Sequence, residues 1–516
     1  MRMFFRRSMV LVALSVTAVV VLFQGSEPAL ANPLADVATG GSHTCAITLG
    51  TDVKCWGRND HGQLGDDSNT NRTTPVDVSD LTNGVTAVAG GALHTCAVTV
   101  DGGVKCWGLN DHGQLGDGST MESATPVGVS GLVSGGSAIT AGAYHTCAII
   151  AGGAKCWGLN DHGQLGNGTT TESPTPVDVT DLTINVLAIS AGAYHTCAVT
   201  TAGAAKCWGW NPVGQLGNGM NTESPTPVNV LTLTSGVSTI DAGGDHTCAV
   251  IAGSAKCWGW NQYGQLGDGT SSDAAAPVSV SGLGSGVGTI SVGSGHTCAL
   301  TTGDTATCWG LNDNGQLGIG TNTGPETCTG FLTPCSKTPM DVSGLSGGVT
   351  VISLGGKHTC ARISFGVVKC WGSDESGELG ATTTELCDNA PVPCSTTPVD
   401  LLLDSDGDGC IDGREVQTLA GSELSGGRRN PKDQWDYFNP TGDRENRVDD
   451  VLAVVDAYFK DDNDATPGFP PFTPGYTQIT DRTLDGPNLW NTGPPNGLQR
   501  VDDILNAIHQ YFHDCG

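Results

Sequence analysis

The sequence has few large side chains and few positive charges. Aromatic residues make up 5 % of the 516 residues, and Lys and Arg together number 23 against 52 Asp and Glu. The formal net charge is therefore −29. A surface with this charge repels the phosphate backbone of nucleic acid and attracts cations. We expect no nucleic-acid partner.

Long apolar runs are missing after the N-terminal segment. Residues 1–31 combine arginines, an apolar stretch over 9–23 and the small-residue sequence Ala29-Leu30-Ala31. This arrangement is typical of a secretory signal peptide, and the apolar stretch is short for a membrane span. We expect a protein that is secreted or held at the cell surface, with no membrane span after signal removal. An uncleaved anchor is the alternative.

Repetition is the main feature of the sequence that remains. A phrase with His-Thr-Cys-Ala, a glycine turn and Cys-Trp-Gly recurs seven times, at intervals of 51, 50, 51, 50, 51 and 62 residues between its tryptophans. The phrase has the alternation of a β-hairpin, and two further short strands complete each copy. Four strands in a period of about 50 residues predict one propeller blade, so seven copies predict an all-β, seven-bladed β-propeller. The 76 glycines suit tightly stacked blades.

The phrase resembles the repeat of the regulator of chromosome condensation family. The matching residues are Gly-x-x-His-Thr followed by Trp-Gly-x-Asn-x-x-Gly-Gln-Leu-Gly, over about residues 34–401. The resemblance implies a propeller domain, which we place at 32–403, that presents variable loops to a protein partner. The family's namesake exchanges guanine nucleotides on a small nuclear GTPase and binds chromatin. Neither role suits an exported, acidic protein.

The two ends of the repeat array differ from the copies between them. Residues 34–40 match the strand before each His-Thr-Cys but lack a preceding Thr-Pro-Val, and Thr397-Pro398-Val399 supplies that strand at the other end. We therefore expect one blade to combine strands from both chain ends and to close the ring, which would remove free sheet edges.

Twenty cysteines, an even number, suit an oxidising compartment. Opposed residues of an antiparallel hairpin lie about 4.5–5.5 Å apart, which a disulfide can bridge. We predict one disulfide in each copy, and a zinc site made of the histidine and both cysteines is the alternative. The seven pairs are Cys45 with Cys55, Cys96 with Cys106, Cys147 with Cys156, Cys197 with Cys207, Cys248 with Cys257, Cys298 with Cys308 and Cys360 with Cys370.

Two insertions follow Gln-Leu-Gly in the sixth copy and its equivalent in the seventh, at 323–336 and 382–395. Because they occupy equivalent positions in neighbouring blades, they should lie side by side on one face, where they are candidates for a binding surface. Each carries a cysteine pair, and we expect two disulfides, Cys328 with Cys335 and Cys387 with Cys394. Cys410 and Cys515 are left over and pair by elimination.

Catalysis is not expected of the propeller, and we predict that the protein is not an enzyme. The His-Thr-Cys histidine occurs in every copy, whereas an active site needs an asymmetric group of residues. No His-Glu-x-x-His motif is present, and no unrepeated pair of carboxylates stands out in the propeller. Residues that vary among the copies are the better candidates for a binding surface: His61, His112, His162, Trp210 and Trp260.

These observations favour a non-catalytic, protein-binding propeller whose partner the sequence does not name. An inhibitor of a secreted enzyme that uses the same loops is one alternative. A carbohydrate-binding surface protein, with Trp210 and Trp260 as stacking platforms, is another.

The segment 404–516 has a different composition, with acidic clusters and a calcium-loop pattern. Hard oxygen ligands at positions 1, 3, 5, 9 and 12, with a main-chain carbonyl at position 7, form an EF-hand-type site for one Ca²⁺. An acidic linker is the alternative. The ligands would be Asp404, Asp406, Asp408, the carbonyl of Cys410, Asp412 and Glu415.

Two amphipathic stretches with the same apolar spacing, 448–459 and 501–512, predict a pair of helices in this segment. They resemble the duplicated segment of dockerin-like modules, but the residues before each helix lack a full ligand set. A small α-helical calcium-binding domain is therefore expected after the propeller. A helix pair held together only by its apolar faces is the alternative for the two stretches.

Calcium should order the C-terminal domain and leave the propeller unchanged, because the cation relieves repulsion within the acidic loop. Chelation is expected to increase protease cleavage after Leu403, and calorimetry should show much weaker binding for Glu415→Gln. A free Ca²⁺ concentration of about a hundred times Kd would stabilise the domain by about 2.7 kcal/mol. If a chelator changes neither the cleavage pattern nor the melting of this domain, the loop is an acidic linker.

Overall fold

A computed structural model of the protein describes residues 37–48, 50–328, 333–381, 383, 385–387 and 392–401. These residues form seven β-sheets and one short 3-10 helix, Ser364–Gly366. The predicted all-β, seven-bladed propeller is confirmed. No helix in this part of the chain is long and apolar enough to cross a membrane. The predicted signal peptide and C-terminal calcium-binding domain lie outside the described residues.

Blades 1 to 5 each contain four antiparallel strands that follow one another in sequence and in the sheet. Blade 1 contains β1 (Val37–Thr39), β2 (His43–Ile47), β3 (Val53–Gly57) and β4 (Arg72–Asp77). Blade 2 contains β5 (Val85–Gly90), β6 (His94–Thr99), β7 (Val104–Gly108) and β8 (Ser123–Gly128). Blade 3 contains β9 (Gly136–Ala141), β10 (His145–Ile150), β11 (Gly153–Gly158) and β12 (Ser173–Asp178). Blade 4 contains β13 (Val186–Ala191), β14 (His195–Thr200), β15 (Ala205–Gly209) and β16 (Ser224–Asn229). Blade 5 contains β17 (Val237–Ala242), β18 (His246–Ile251), β19 (Ser254–Gly259) and β20 (Ala274–Ser279).

Blades 6 and 7 contain a fifth strand, which the insertions supply at the outer edge of the sheet. Blade 6 contains β21 (Val287–Val292), β22 (His296–Thr301), β23 (Ala306–Leu311), β24 (Glu326–Cys328) and β25 (Thr333–Asp341). Blade 7 contains β26 (Val349–Leu354), β27 (His358–Ile363), β28 (Val368–Ser373), β29 (Glu385–Cys387) and β30 (Val392–Asp400). Both insertions therefore extend neighbouring blades at the same position, and the segments 329–332 and 388–391 lie outside the described residues.

The first strand of every blade lines a central channel, and the other strands follow outward. We call the end of the disc with the loops between first and second strands, and between third and fourth strands, the upper face. The hairpin turns between second and third strands and the connections between blades form the lower face. The added strands β24 and β29 lie towards the upper face, since Leu311 and Ser373 pair with Cys335 of β25 and Cys394 of β30.

The core lies between the blades because each sheet is covered on both sides. In β6, the five residues from His94 to Val98 are all buried, although they alternate between the two sides of the sheet. Trp107 of blade 2 is fully buried against Leu64, Val78 and Leu81 of blade 1. The same arrangement recurs around the ring, and burial of an aromatic ring of this size is a large stabilising contribution.

Gly65 shows why the loop of the repeat ends in Gln-Leu-Gly. Its φ is +74°, and a Cβ there would lie 2.8 Å from Nε1 of Trp107. A larger residue would therefore be strained and would collide with the tryptophan of the next blade.

Seven disulfides join directly opposed residues of the hairpins, one in each blade, as the spacing of the cysteines predicts. In blade 2, for example, Cys96 of β6 faces Cys106 of β7. The zinc alternative for these pairs is wrong, because the sulfur atoms are bonded to each other. The bonded pairs are Cys45 and Cys55, Cys96 and Cys106, Cys147 and Cys156, Cys197 and Cys207, Cys248 and Cys257, Cys298 and Cys308, and Cys360 and Cys370.

Two further disulfides lie within the insertions of blades 6 and 7. Cys328 is bonded to Cys335, and Cys387 is bonded to Cys394, as expected from the sequence. Each bond joins the added fifth strand to the strand beside it. The last predicted pair, Cys410 and Cys515, lies outside the described residues.

The expected blade made from both chain ends is wrong. β1 pairs with β2 in blade 1, while β30, which carries Thr397-Pro398-Val399, pairs with β28 in blade 7. The Thr-Pro-Val strand follows Cys-Trp-Gly through one loop and adds to the same sheet, so every blade is contiguous in sequence. Side-to-side packing of β1 against β26 and β27 closes the ring.

Seven buried histidines form a closed ring of hydrogen bonds, one at each interface between blades. Nε2 of each histidine lies 2.8–2.9 Å from Oγ1 of the repeat threonine in the next blade. The interface between blades 7 and 1 therefore has the same bond as the other six. The pairs are His43–Thr95, His94–Thr146, His145–Thr196, His195–Thr247, His246–Thr297, His296–Thr359 and His358–Thr44.

The threonine determines which ring nitrogen of each histidine carries the hydrogen. Thr95 donates its hydroxyl hydrogen to the main-chain oxygen of Gln63 at 2.7 Å, so that hydroxyl accepts from Nε2–H of His43. Nε1 of Trp107 donates to the same carbonyl at 2.9 Å. Burial lowers the pKa of His43 to about 4 and that of the other six histidines to about 3. All seven are neutral at physiological pH.

Ring closure can be tested with one substitution in the closing interface and its equivalent inside the ring. Thr44→Val and Thr146→Val each remove one bond to a histidine and one to a main-chain oxygen. Each should lower the free energy of unfolding by about 1–3 kcal/mol, because buried polar groups lose their partners. Denaturant titration without reductant measures both. A nearly neutral Thr44→Val beside a costly Thr146→Val would show that the seventh interface is not equivalent.

The low pKa values of the seven buried histidines also predict that the fold is sensitive to acid. The folded pKa values lie below the ordinary 6.5, so the unfolded chain binds more protons as pH falls from about 6.5 towards 4, and stability is lost over that range. Burial raises the pKa of four carboxyl groups, which act in the opposite direction but are fewer than the seven histidines: Asp241, to about 6, Glu378, to about 7, Asp245 and Asp374. Denaturant titrations at successive pH values, followed by near-ultraviolet circular dichroism, should show a falling midpoint. His145→Gln should reduce the proton uptake on unfolding by about one. A midpoint that is constant from pH 7 to 4.5 would contradict the assigned histidine pKa values.

Candidate functional site

Several aromatic side chains that only some blades carry lie together on the upper face. There His112, Tyr144, His162, Tyr194 and Trp210 form a continuous run of rings across blades 2 to 4, which we call the aromatic arc. The ring centroids are 5.5 Å apart for His112–Tyr144, 6.3 Å for Tyr144–Tyr194, 5.9 Å for His162–Tyr194 and 5.6 Å for His162–Trp210. All five rings are half-buried, so each presents an edge or part of a face to solvent.

Glutamates of the following blade hold the arc histidines in place. Nδ1 of His112 lies 3.1 Å from Oε2 of Glu172, and Nδ1 of His162 lies 3.0 Å from Oε2 of Glu223. His61 makes the same contact with Glu122, at 3.0 Å, in the interface between blades 1 and 2. These pairs position the rings.

The structure brings together some of the five residues proposed from the sequence and separates others. His112, His162 and Trp210 belong to the aromatic arc. Trp260 lies in blade 5, where it packs edge-on against Tyr263 at 5.0 Å, and His61 contacts Glu122.

The two tyrosines of the aromatic arc are not among the residues proposed from the sequence. Tyr144 and Tyr194 occupy the position immediately before the repeat histidine, where the other copies have Ser, Leu, Asp, Gly or Lys. A comparison of the copies at that position would have identified both.

A second feature of the upper face is a recess of about 590 Å³ above the mouth of the channel. It lies between the seam of blades 7 and 1 and the loops of blades 5 and 6. The seam side carries charged residues, and the opposite side carries aromatic and aliphatic ones. The lining includes Arg58, Lys357, Glu375 and Glu378 on the seam side and Trp260, Tyr263 and Leu311 on the opposite side.

Glu378 corrects the expectation that the propeller has no unrepeated carboxylate pair. It replaces the glutamine of Gln-Leu-Gly in the seventh copy, and Asp374 replaces the repeat asparagine. Glu378 is 3 % exposed. Burial, together with the neighbouring Asp374 and Glu375, raises its pKa to about 7. Alignment of the seven copies with one another would have revealed both substitutions.

The channel contains one carboxylate among the described residues that line it, and its bonds are to protein groups. Asp241 accepts a hydrogen bond from the hydroxyl of Ser190 at 2.6 Å and one from the amide of Val292 at 2.7 Å. Burial raises the pKa of Asp241 to about 6. It therefore links the first strands of blades 4, 5 and 6 around the channel.

One stretch matches a catalytic motif by its letters. Gly344-Leu345-Ser346-Gly347-Gly348 fits Gly-x-Ser-x-Gly, but it connects β25 to β26 on the lower face, and a strand rather than a helix follows it. A nucleophile elbow requires a strand, a sharp turn and a helix. The motif therefore has no catalytic setting here.

Comparison with known proteins agrees with the repeat and the fold. The profile of the regulator of chromosome condensation (RCC1) repeat matches residues 53–98, 101–149, 156–199, 206–250, 253–300 and 308–362. A second profile of the same repeat matches 35–63, 85–114, 186–215 and 289–316. Together the matches extend over most of the propeller.

Two curated relatives align with parts of the chain. The ultraviolet-B receptor UVR8 of Arabidopsis thaliana is 35 % identical over 221 residues, which are 42 % of this chain and 50 % of that protein. The probable E3 ubiquitin-protein ligase HERC3 of Homo sapiens is 38 % identical over 122 residues, 23 % of this chain and 11 % of that protein. The chain thus spans half or less of these relatives.

Solved structures share the fold at low sequence identity. Yeast RCC1 (Prp20), crystallised with Kap60, has a TM-score of 0.60 and 21 % identity, with 69 % of this chain and 85 % of that chain covered. Human WBSCR16 has a TM-score of 0.55 and 23 % identity, with coverages of 64 % and 86 %. These likenesses concern the fold alone. From the repeat profiles and the seven blades, the chain belongs to the family of proteins built from regulator of chromosome condensation (RCC1) repeats.

Proposed function

We propose that this protein is a secreted, non-catalytic binding propeller that recognises a protein partner with its upper face. One observation carries the proposal. The seven interfaces between blades repeat the same histidine, threonine and tryptophan contacts, whereas the upper face carries a continuous run of aromatic side chains that most copies lack. A uniform scaffold that carries an unrepeated aromatic surface is an arrangement for recognition.

The chemistry of the aromatic arc suits a protein partner. Tyr and Trp are enriched among the residues that dominate the energetics of protein interfaces, because they offer large contact area and a polar edge. Tyr144, Tyr194 and Trp210 form such a group. The two disulfide-linked insertions stand at the same end of the disc and could extend the contact surface. Solved relatives bind proteins as well: yeast RCC1 (Prp20) was crystallised with Kap60, and Prp20p binding to Gsp1p and histones has been studied.

Export and calcium binding complete the proposal. Nine disulfides in the described propeller are typical of extracellular proteins, and residues 1–31 have the pattern of a signal peptide. The acidic loop that begins at Asp404 and ends at Glu415 would bind Ca²⁺ and order a C-terminal tether. These two segments lie outside the described residues, so their roles rest on the sequence.

Carbohydrate binding is less well supported by the upper face. Stacking of a sugar requires an open tryptophan face, but Trp210 packs against both His162 and Tyr194. An inhibitor of a secreted enzyme would be one kind of protein-binding propeller.

The test uses the full-length secreted chain as bait for proteins from the culture supernatant, with variants matched between the two faces. Tyr194→Ser with Trp210→Ser alters the aromatic arc. Ile184→Ser with Leu187→Ser alters the lower face, where these residues are 64 % and 55 % exposed. The upper-face variant should weaken binding of the captured partner at least tenfold, since interface aromatics commonly contribute about 2 kcal/mol or more. The lower-face variant should bind as the wild type.

Two results would contradict the proposal. One is undiminished partner binding by the upper-face variant while its melting temperature is unchanged. The other is specific binding on a glycan array without any captured protein, which would identify a carbohydrate-binding protein instead.

A further inference from the structure

The carboxylate of Glu378 stands where the other six copies have a neutral amide. In blade 1, Oε1 of Gln63 accepts from the amide of His61 at 2.9 Å, and Nε2 donates to Oδ1 of Asp60 at 3.3 Å. The glutamine thus satisfies one donor and one acceptor at the same time.

Blade 7 keeps the first of these bonds and loses the second. Oε2 of Glu378 accepts from the amide of Ser376 at 2.7 Å, as the glutamine does. Glu375 occupies the position of Asp60. In blade 7, two acidic side chains, Glu375 and Glu378, therefore replace the pair in which a glutamine amide donates to an aspartate. Among the described residues, the carboxylate receives main-chain amides, including its own, and no side-chain donor. A buried carboxylate in this position requires a cation or a proton.

The cations already present meet this requirement only in part, because Arg58 interacts electrostatically with Glu375 and Glu378 but makes its hydrogen bonds to Asp60. The guanidinium of Arg58 donates from Nε and Nη2 to the two carboxylate oxygens of Asp60, at 2.9 and 2.5 Å. Lys357 is exposed and has no salt bridge among the described residues. Because Arg58 is paired with Asp60, the two negative charges of Glu375 and Glu378 are matched by only one other positive charge, that of Lys357. The seam side of the recess therefore carries a net negative charge.

The opposite side of the recess is suited to an organic cation. Trp260 and Tyr263 meet edge to face there, and Leu311 adds an aliphatic surface. The electron-rich face of an indole or phenol ring attracts an ammonium or guanidinium group, and the aliphatic stem of such a group packs on apolar side chains.

We propose that the recess binds a basic side chain, a lysine ammonium or an arginine guanidinium, with Glu378 as the buried acceptor and Trp260 and Tyr263 as the facing wall. This rests on the proposed function and deepens it, because it names the chemistry by which a partner protein would be recognised at the centre of the upper face. The site lies in one place only, since Glu378 occurs in a single copy and Trp260 comes from a different blade.

The test measures binding of two small probes, Nα-acetyl-arginine methylamide and Nα-acetyl-lysine methylamide, to the full-length protein by calorimetry at pH 8. Nα-acetyl-norleucine methylamide has a similar stem without the charge and is the control probe. We expect at least one cationic probe to bind and the norleucine probe to bind at least tenfold more weakly.

Glu378→Gln is the decisive variant, because glutamine occupies this position in the other six blades and is compatible with the fold. It should reduce affinity for the cationic probe at least tenfold. Glu122→Gln removes an upper-face carboxylate outside the recess and should leave the affinity unchanged. Trp260→Leu should weaken binding to a smaller extent.

Binding should also weaken between pH 8 and 6 in the wild type and remain constant in Glu378→Gln. The groups that face Glu378 are Asp374 and Glu375 on its own loop, Arg58 and Asp60 of blade 1, and Lys357 and His358 of blade 7. Of these, Arg58 keeps its charge because its hydrogen bond to Asp60 raises its pKa, and His358 stays neutral because burial lowers its pKa to about 3.

The proposal is overturned if neither cationic probe binds, if the norleucine probe binds equally well, or if Glu378→Gln retains wild-type affinity. None of these results would affect capture of a partner through the aromatic arc. Conversely, loss of partner capture in the upper-face variant leaves probe binding to be measured independently, so the two proposals can fail separately.

Discussion

One main-chain oxygen in each blade organises the whole ring. The carbonyl of the Gln-Leu-Gly glutamine receives the hydroxyl of the next blade's threonine and the indole N–H of its tryptophan, as Gln63 does from Thr95 and Trp107. The threonine then accepts from Nε2–H of a histidine, which is neutral because burial lowers its pKa. The imidazole of that histidine fills the space beside a glycine. A Cβ on Gly91, for example, would lie 2.4 Å from Cε1 of His94. Each part of the repeat phrase therefore requires the others.

This arrangement separates the scaffold from the surface that varies. Both sides of every blade are taken up by contacts with neighbours, so variation in those positions would open a cavity or leave a buried polar group unpaired. The exposed side chains of the upper-face loops make no such contacts, so they can vary. Closure through a seventh equivalent interface means that no sheet is left with an uncovered side, and the disulfides of the hairpins are local to each blade. The described propeller can therefore present different loops without a change in its core.

Glu378 illustrates how a scaffold position can acquire a different side chain. The ring uses only its main-chain oxygen, which accepts from Thr44 and from Trp56. Glu378 lines the recess, and its carboxylate accepts from Ser376 of its own loop. A change from amide to carboxylate there alters the chemistry of the upper face while the contacts between blades stay the same. The same reasoning applies to the position before the repeat histidine, where tyrosine, lysine and aspartate all occur.

The sequence by itself determined the number of blades and the hairpin disulfides, because the period is regular and cysteines such as Cys96 and Cys106 are separated by one short turn. It also showed that the repeated histidines belong to the scaffold. It did not determine where a blade begins. In a repeat, the Thr-Pro-Val strand can be assigned to the preceding or the following copy with equal local chemistry, and only strand pairing decides between them. The aromatic arc and the recess depend on which blades face one another across the axis. Trp260 and Glu378 are 118 residues apart, and only the closed ring brings them to one cavity.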